Sequence, residues 1–106
     1  MDYLLQVFKA LAHDRRLGII GLLLERRELT IEALSSELKM PFASCCRNLK
    51  ILERVYIVKN RRSGGNVFYS LNKPNDHIYN RHILDMVVLR RNKISENLRK
   101  KVDGPV

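Results

Sequence analysis

Apolar residues recur along the first fifty positions at helical spacing, and then the rhythm changes. Leu4, Phe8 and Leu11, with Leu5 and Val7 beside them, predict a first helix over residues 3–12. His13-Asp14 breaks that pattern and supplies cap chemistry for a second helix over 15–26, with Leu17, Ile20, Leu23 and Leu24 inward. The segment 26–29 reads as a short connection. Thr30 then offers a hydroxyl cap and Glu32 an anion in the first turn, and Ile31, Leu34 and Leu38 give a third helix a one-sided stripe. Pro41 disfavours helix in the residue before it and suits the start of the next helix.

The fourth helix spans about Phe42 to Arg54. Phe42, Cys45, Leu49 and Leu52 share its inward side, while Cys46, Arg47, Lys50 and Arg54 share the outer one with Ala43. From Ile57 the period falls to two. Residues 57–62 and 66–71 are β-branched and aromatic runs around Ser63-Gly64-Gly65, and paired glycines supply the positive φ angles of a tight hairpin. After a turn at 72–75, one long helix of about 26 residues and about 39 Å is predicted over roughly 75–101. Its apolar positions are Ile78, Ile83, Met86, Val87, Leu89, Ile94 and Leu98. The fold class is thus mainly α with a small β-hairpin, in the order α-α-α-α-β-β-α. Two short helices joined by a few residues, the second basic on its outer face and followed by a cationic hairpin, match a winged helix-turn-helix.

Length and composition narrow this picture. The 106 residues make one domain, residues 1–106, whose own core is modest. A terminal helix this long has more apolar surface than one small domain can cover, so a dimer is expected. Leu4, Leu5 and Phe8 of the first helix and Ile83, Val87 and Ile94 of the last are its expected interface. The net charge of +9 is unevenly placed: residues 1–38 carry −1, residues 39–73 carry +7, and residues 74–106 carry +3. Cations concentrated in one segment are the footprint of a phosphate-facing surface. No apolar stretch is long enough to span a membrane. The start of the sequence lacks the pattern of a signal peptide, and adjacent Cys45 and Cys46 make no disulfide framework. These features together predict a cytoplasmic location.

The expected DNA-binding set is Ser44, Cys46, Arg47, Asn48 and Lys50 on the fourth helix and Lys59, Arg61 and Arg62 on the hairpin. Arg47 suits a guanine edge, Lys50 a phosphate, and Ser44 and Asn48 offer neutral hydrogen bonds beside them. Arg61 and Arg62 suit backbone phosphate or the minor groove. Cys45 reads as a small core residue, whereas Cys46 lies on the outer side beside Arg47, which favours a thiolate; a redox-responsive regulator is the alternative that follows. A winged module for protein assembly is the other, and it would need no basic helix face. His77, His82 and Asp85 read as a polar helix face, and His13 as a cap or polar contact. No phosphate loop, nucleophile elbow or paired-acid cleft is present, so the chain reads as no enzyme and calls for no cofactor or metal.

Several runs resemble one family. Phe8-Lys9-Ala10-Leu11-Ala12-His13-Asp14-Arg15-Arg16-Leu17 resembles the opening motif of the ArsR/SmtB-type regulators, the winged-helix repressors of bacteria and archaea. Glu28 to Leu34 is similar to their third-helix motif, Ser44 to Leu52 to their recognition helix, and Gly65 to Leu71 to the return strand of their wing. The resemblance covers about residues 4–72. It implies a dimer formed through the first and last helices, operator binding by the fourth, and a repressor released by a small signal, often a metal ion. The family's paired thiolate ligands fall at Thr30 and Glu32 here. Its last-helix ligands fall at Asp76-His77, Val88 and Arg91, so neither set is present and the sequence assigns no effector. Tyr56 stands where the family has a glycine between recognition helix and wing, and Pro41-Phe42 replaces its polar helix opening.

Overall fold

The computed structural model describes residues 2–73 and 79–103. Its elements are α1 (Tyr3–Leu11), α2 (Asp14–Arg26), β1 (Glu28–Thr30), α3 (Ile31–Glu37), α4 (Phe42–Arg54), β2 (Val58–Ser63), β3 (Asn66–Leu71) and α5 (Asn80–Asp103). Side chains start the first three helices, at His13 and Thr30 as the sequence suggests and at Asp2 in addition. Asp2 accepts from the Leu4 N–H at 2.9 Å, His13 Nδ1 from the Arg15 N–H at 3.2 Å, and Thr30 Oγ1 from the Ala33 N–H at 3.2 Å. Pro41 precedes α4 and gives it no side-chain cap. The first residues of the expected last helix lie outside the described residues.

One strand is an addition to the expected order. Glu28 and Leu29, expected within a plain connection over 26–29, form β1 together with the cap residue Thr30 and pair with β3, giving an antiparallel sheet in the order β1-β3-β2. Three residues are too few for a period of two to be visible, and the partner lies some forty positions away. The hairpin itself closes as expected. Ser63 pairs with Asn66, and Gly64 and Gly65 between them take φ angles of 57° and 82°.

The core is continuous, with α2 at its centre. Ile19, Ile20 and Leu23 of α2 pack with Leu34, Leu49 and Leu52 of the helix-turn-helix, with Val58 and Tyr69 of the sheet, and with Ile83 and Val87 of α5. On α1 the stripe turns out differently from the expected one. Val7 and Ala10 are buried, whereas Leu5 and Phe8 are half exposed. Ile83 and Val87, expected at a dimer interface, are consumed by this chain's own core. Met86, Leu89, Ile94 and Leu98 form the uncovered apolar residues of α5 instead.

Both ends of the turn-and-wing region are fixed by the same device. After α3, Lys39 takes φ 52°, its N–H meets Ser36 O, and the Met40 N–H meets Ser35 O at 3.0 Å. After α4, Tyr56 takes φ 60°, its N–H meets Glu53 O, and the Ile57 N–H meets Leu52 O at 3.0 Å. Each is a Schellman closure with a buried apolar residue, Met40 or Ile57, following the left-handed position. That position is one where a side chain costs energy and glycine does not. Tyr56 is further tied down. Its carbonyl accepts from Asn72 Nδ2 at 2.7 Å and Asn80 Nδ2 at 3.0 Å, and its ring lies 6.4 Å from that of Tyr3. Lys39→Gly should therefore raise unfolding stability by about 1 kcal/mol in a urea titration. Tyr56→Gly should gain less, since it also loses the ring contact; no gain from either would show that the left-handed backbone is unstrained.

Candidate nucleic-acid interface

The orientation of α4 about its own axis decides which of its side chains can meet a ligand. At about 100° per residue, Cys45, Leu49 and Leu52 form one arc, and Ser44 and Asn48 extend it by about 80°. The structure buries all five; Ser44 is 5% exposed and Asn48 6%. This corrects the expected DNA-binding set, in which both were outward hydrogen-bonding groups. They face α2. Arg15 Nη1 donates to Ser44 Oγ at 2.7 Å, and Arg16 Nε donates to Asn48 Oδ1 at 3.0 Å. Asn48 Nδ2 in turn donates to Ser44 O at 2.9 Å. Arg16 Nη1 reaches the last turn of α1, at Lys9 O and Ala10 O. A buried amide is stable only when its polar atoms are partnered, and these arginines are the partners.

With that arc turned inward, the opposite one is exposed. Ala43, Arg47, Lys50 and Arg54 lie on it, with Cys46 partly exposed near one edge. Phe42, expected inward, is 51% exposed. The α4 axis ends before its first residue can reach the core that Cys45 and Leu49 fill. No acidic side chain occupies the first turn of α4, so nothing there repels an anion.

Beyond α4 the hairpin continues this surface. Asn60 Nδ2 donates to a Glu53 carboxylate oxygen, joining β2 to the near edge of α4. Arg62 shares the sheet face of Asn60 by strand alternation and is exposed, so it extends the helix surface. Arg61 and Lys59 lie on the other face. Arg61 is not a free wing-tip cation: its Nε and Nη2 each donate to a Glu28 carboxylate oxygen at 2.7 Å, and its guanidinium lies 4.7 Å from the centre of the Phe68 ring. The Arg61 hydrogen bonds hold the Glu28 carboxyl below its usual range. The pair latches β2 across β3 to β1.

No protein-family model matches the sequence. The transcriptional repressor SmtB homolog of Synechocystis is 36% identical over 75 residues, 71% of this chain and 54% of that protein. The reduced form of HlyU from Vibrio cholerae, a protein named as a transcriptional activator, is 30% identical with a TM-score of 0.68, over 82% of this chain and 83% of that one. A homodimeric winged helix-turn-helix DNA-binding domain from Mycobacterium bovis, described as a possible ArsR-family transcriptional regulator, is 28% identical with a TM-score of 0.72, over 92% of this chain and 82% of that one. The chain belongs to the ArsR/SmtB-type winged helix-turn-helix family. It spans 60% or less of the length of the curated relatives it matches.

The positions that the family resemblance links to metal do not fit one here. The Thr30 hydroxyl is engaged in capping α3, Glu32 beside it is no thiol, and Val88 and Arg91 on α5 offer no ligand atom for a cation. His77 lies outside the described residues. Cys45 is buried, with its Sγ 4.0 Å from Ile31 O, and burial pushes its thiol up to about 11. It stays protonated near neutral pH.

Sequence reasoning missed Arg15, Arg16 and Glu28. A signal for the first two was present: Ser44 and Asn48, four apart, fall on the same helix arc as Leu52, so a buried polar pair demanded donors from elsewhere. Asn48→Ala removes the acceptor for the Arg16 Nε–H and should lower unfolding stability by about 1–3 kcal/mol. Lys50→Ala, at an exposed site, should stay within about 0.5 kcal/mol of wild type in the same denaturation series. Equal effects from the two would mean that the Arg16–Asn48 bond does not hold α4.

Proposed function

We propose that this chain is a cytoplasmic regulator of transcription that binds double-stranded DNA in a sequence-specific way as a homodimer. The observation that carries the reading is the α4 surface. One arc is locked inward by α2, and the other presents Arg47, Lys50 and Arg54 continuous with Arg62 of the wing. A helix with such a face fits a major groove about 12 Å wide, while the wing meets the backbone beside it. Arg47 is the direct reader, suited to the two acceptors of a guanine edge. Lys50 and Arg62 serve phosphate. Arg61 acts through its latch to Glu28, which aims the hairpin.

Homodimerisation is supported by the two uncovered apolar faces. Leu5 and Phe8 on α1, and Met86, Leu89, Ile94 and Leu98 on α5, leave a monomer with large side chains in water. The Mycobacterium bovis relative is described as homodimeric. Two copies would present their recognition helices to half-sites about one helical turn, roughly 34–36 Å, apart. The regulator is a repressor in this reading, the role named for the Synechocystis relative. A reporter behind a selected operator should rise when the chain is removed; a fall would make it an activator.

Arg47→Ala should weaken operator binding by about 1–3 kcal/mol and relax sequence choice, measured by competition with altered duplexes. Arg62→Ala should weaken all duplexes alike and reduce the salt slope of binding by about 1. Unchanged binding by both variants would end the DNA-reading assignment. Light scattering tests the dimer separately. Phe8→Glu and Leu89→Glu place charges in the proposed interface and should each shift the mass from two chains toward one; a variant mass equal to that of wild type would place the contact elsewhere.

A further inference from the structure

The leading end of α4 has a chemistry that phosphate binding leaves unexplained. Pro41, Phe42 and Ala43 are all exposed, and they place three consecutive nonpolar residues where the helix begins. Phe42 leaves half its ring in water beside a surface that is otherwise cationic. Phe42 is exposed because it is the first residue of α4 and has no core opposite it, and the bonds of Ser44 and Asn48 to α2 fix the helix that carries it. A half-exposed aromatic ring on a helix gains nothing from phosphate. It gains from covering by an apolar group.

In the major groove of unmodified DNA, the apolar group on a base edge is the C5-methyl of thymine, and phenylalanine is among the side chains that contact it. The first residues of a recognition helix are those that approach base edges. Arg47 lies five residues farther along α4, about 7.5 Å by helix rise, which is roughly two base-pair steps. The apolar end and the guanine-reading arginine can therefore face neighbouring positions of one half-site.

We propose that Phe42, with Ala43 beside it, is a specificity-determining residue that reads the C5-methyl group of a thymine within about two base pairs of the position faced by Arg47. The proposal rests on the DNA-binding function above and adds a base preference to it. The contact is dispersive and desolvating, so it adds no charge and is insensitive to salt, unlike the contacts of Lys50 and Arg62.

The test uses the full chain and duplexes selected by it from a random library. Each thymine of the selected half-site is replaced in turn by uracil, which keeps the base pair and its O4 acceptor but lacks the methyl group. At one thymine per half-site, the replacement should weaken wild-type binding about fourfold, the value of one buried methyl group. Phe42→Ala should bind the thymine and uracil duplexes equally while keeping its preference at the guanine. Phe42→Leu, which keeps an apolar contact, should retain the methyl effect. Circular dichroism and the urea midpoint, which an exposed position should leave unchanged, show that the variants are folded. The proposal is overturned if uracil is tolerated at every position, or if it weakens Phe42→Ala as much as wild type. Failure of the wild-type chain to prefer any duplex would overturn the DNA-reading function as well, a result separate from the other two.

Discussion

Two arginines at the start of α2 determine what α4 can do. Ser44 and Asn48 are polar residues on the arc of α4 that packs inward, and a polar group in a core costs free energy unless its bonding atoms find partners. Arg15 and Arg16 supply those partners at 2.7 and 3.0 Å. Once the bonds are made, rotating α4 about its axis by even one residue would strip a buried amide of its donor and expose Leu49 or Leu52. The orientation is therefore well determined. The exposure of Arg47 and Lys50 and the partial exposure of Cys46 follow from it.

The ends of α4 are fixed by a different constraint. Lys39 and Tyr56 occupy left-handed positions that close α3 and α4, and both are residues for which that conformation is unfavourable. They persist because the next residue on each side is buried and because the carbonyl of Tyr56 is held by Asn72 and Asn80. Tyr3 adds a long-range tie, donating from its hydroxyl to Val55 O at 2.6 Å. The hairpin then leaves at a set angle, and the Glu28–Arg61 latch over Phe68 fixes its twist relative to β1. Being exposed, that ion pair adds little to stability. Its effect is geometric.

Most of the architecture could be read from local patterns. The helix stripes, the Thr30 and His13 caps, Pro41 and the Gly64-Gly65 turn each act within a few residues, so their consequences are visible in a short window of sequence. What escaped acts across the chain. The partners of Ser44 and Asn48 lie 29 and 32 positions away, and β1 exists only because β3 returns beside it. The apolar residues of α1 and α5 show the same limit. Periodicity marks them as hydrophobic but does not say which serve the chain's own core. Ile83 and Val87 do, while Leu89 and Leu98 do not. Phe42 misled for a related reason: on an ideal wheel it lies beside Leu49, yet as the first residue of the helix it has no core opposite it.

The Arg16 side chain also joins two regions with different exposed faces. Its Nη1 donates to the last carbonyls of α1, and its Nε donates to Asn48 in the middle of α4. A guanidinium is planar and its donors hold fixed directions, so the two sets of bonds cannot be adjusted independently. A lysine here could keep the charge but not both contacts. Displacing α1, which carries the uncovered Leu5 and Phe8, must therefore either break bonds to Arg16 or pull on the helix that carries Arg47. The helix with the uncovered Leu5 and Phe8 and the helix with the exposed Arg47 and Lys50 are in this way bonded to one guanidinium.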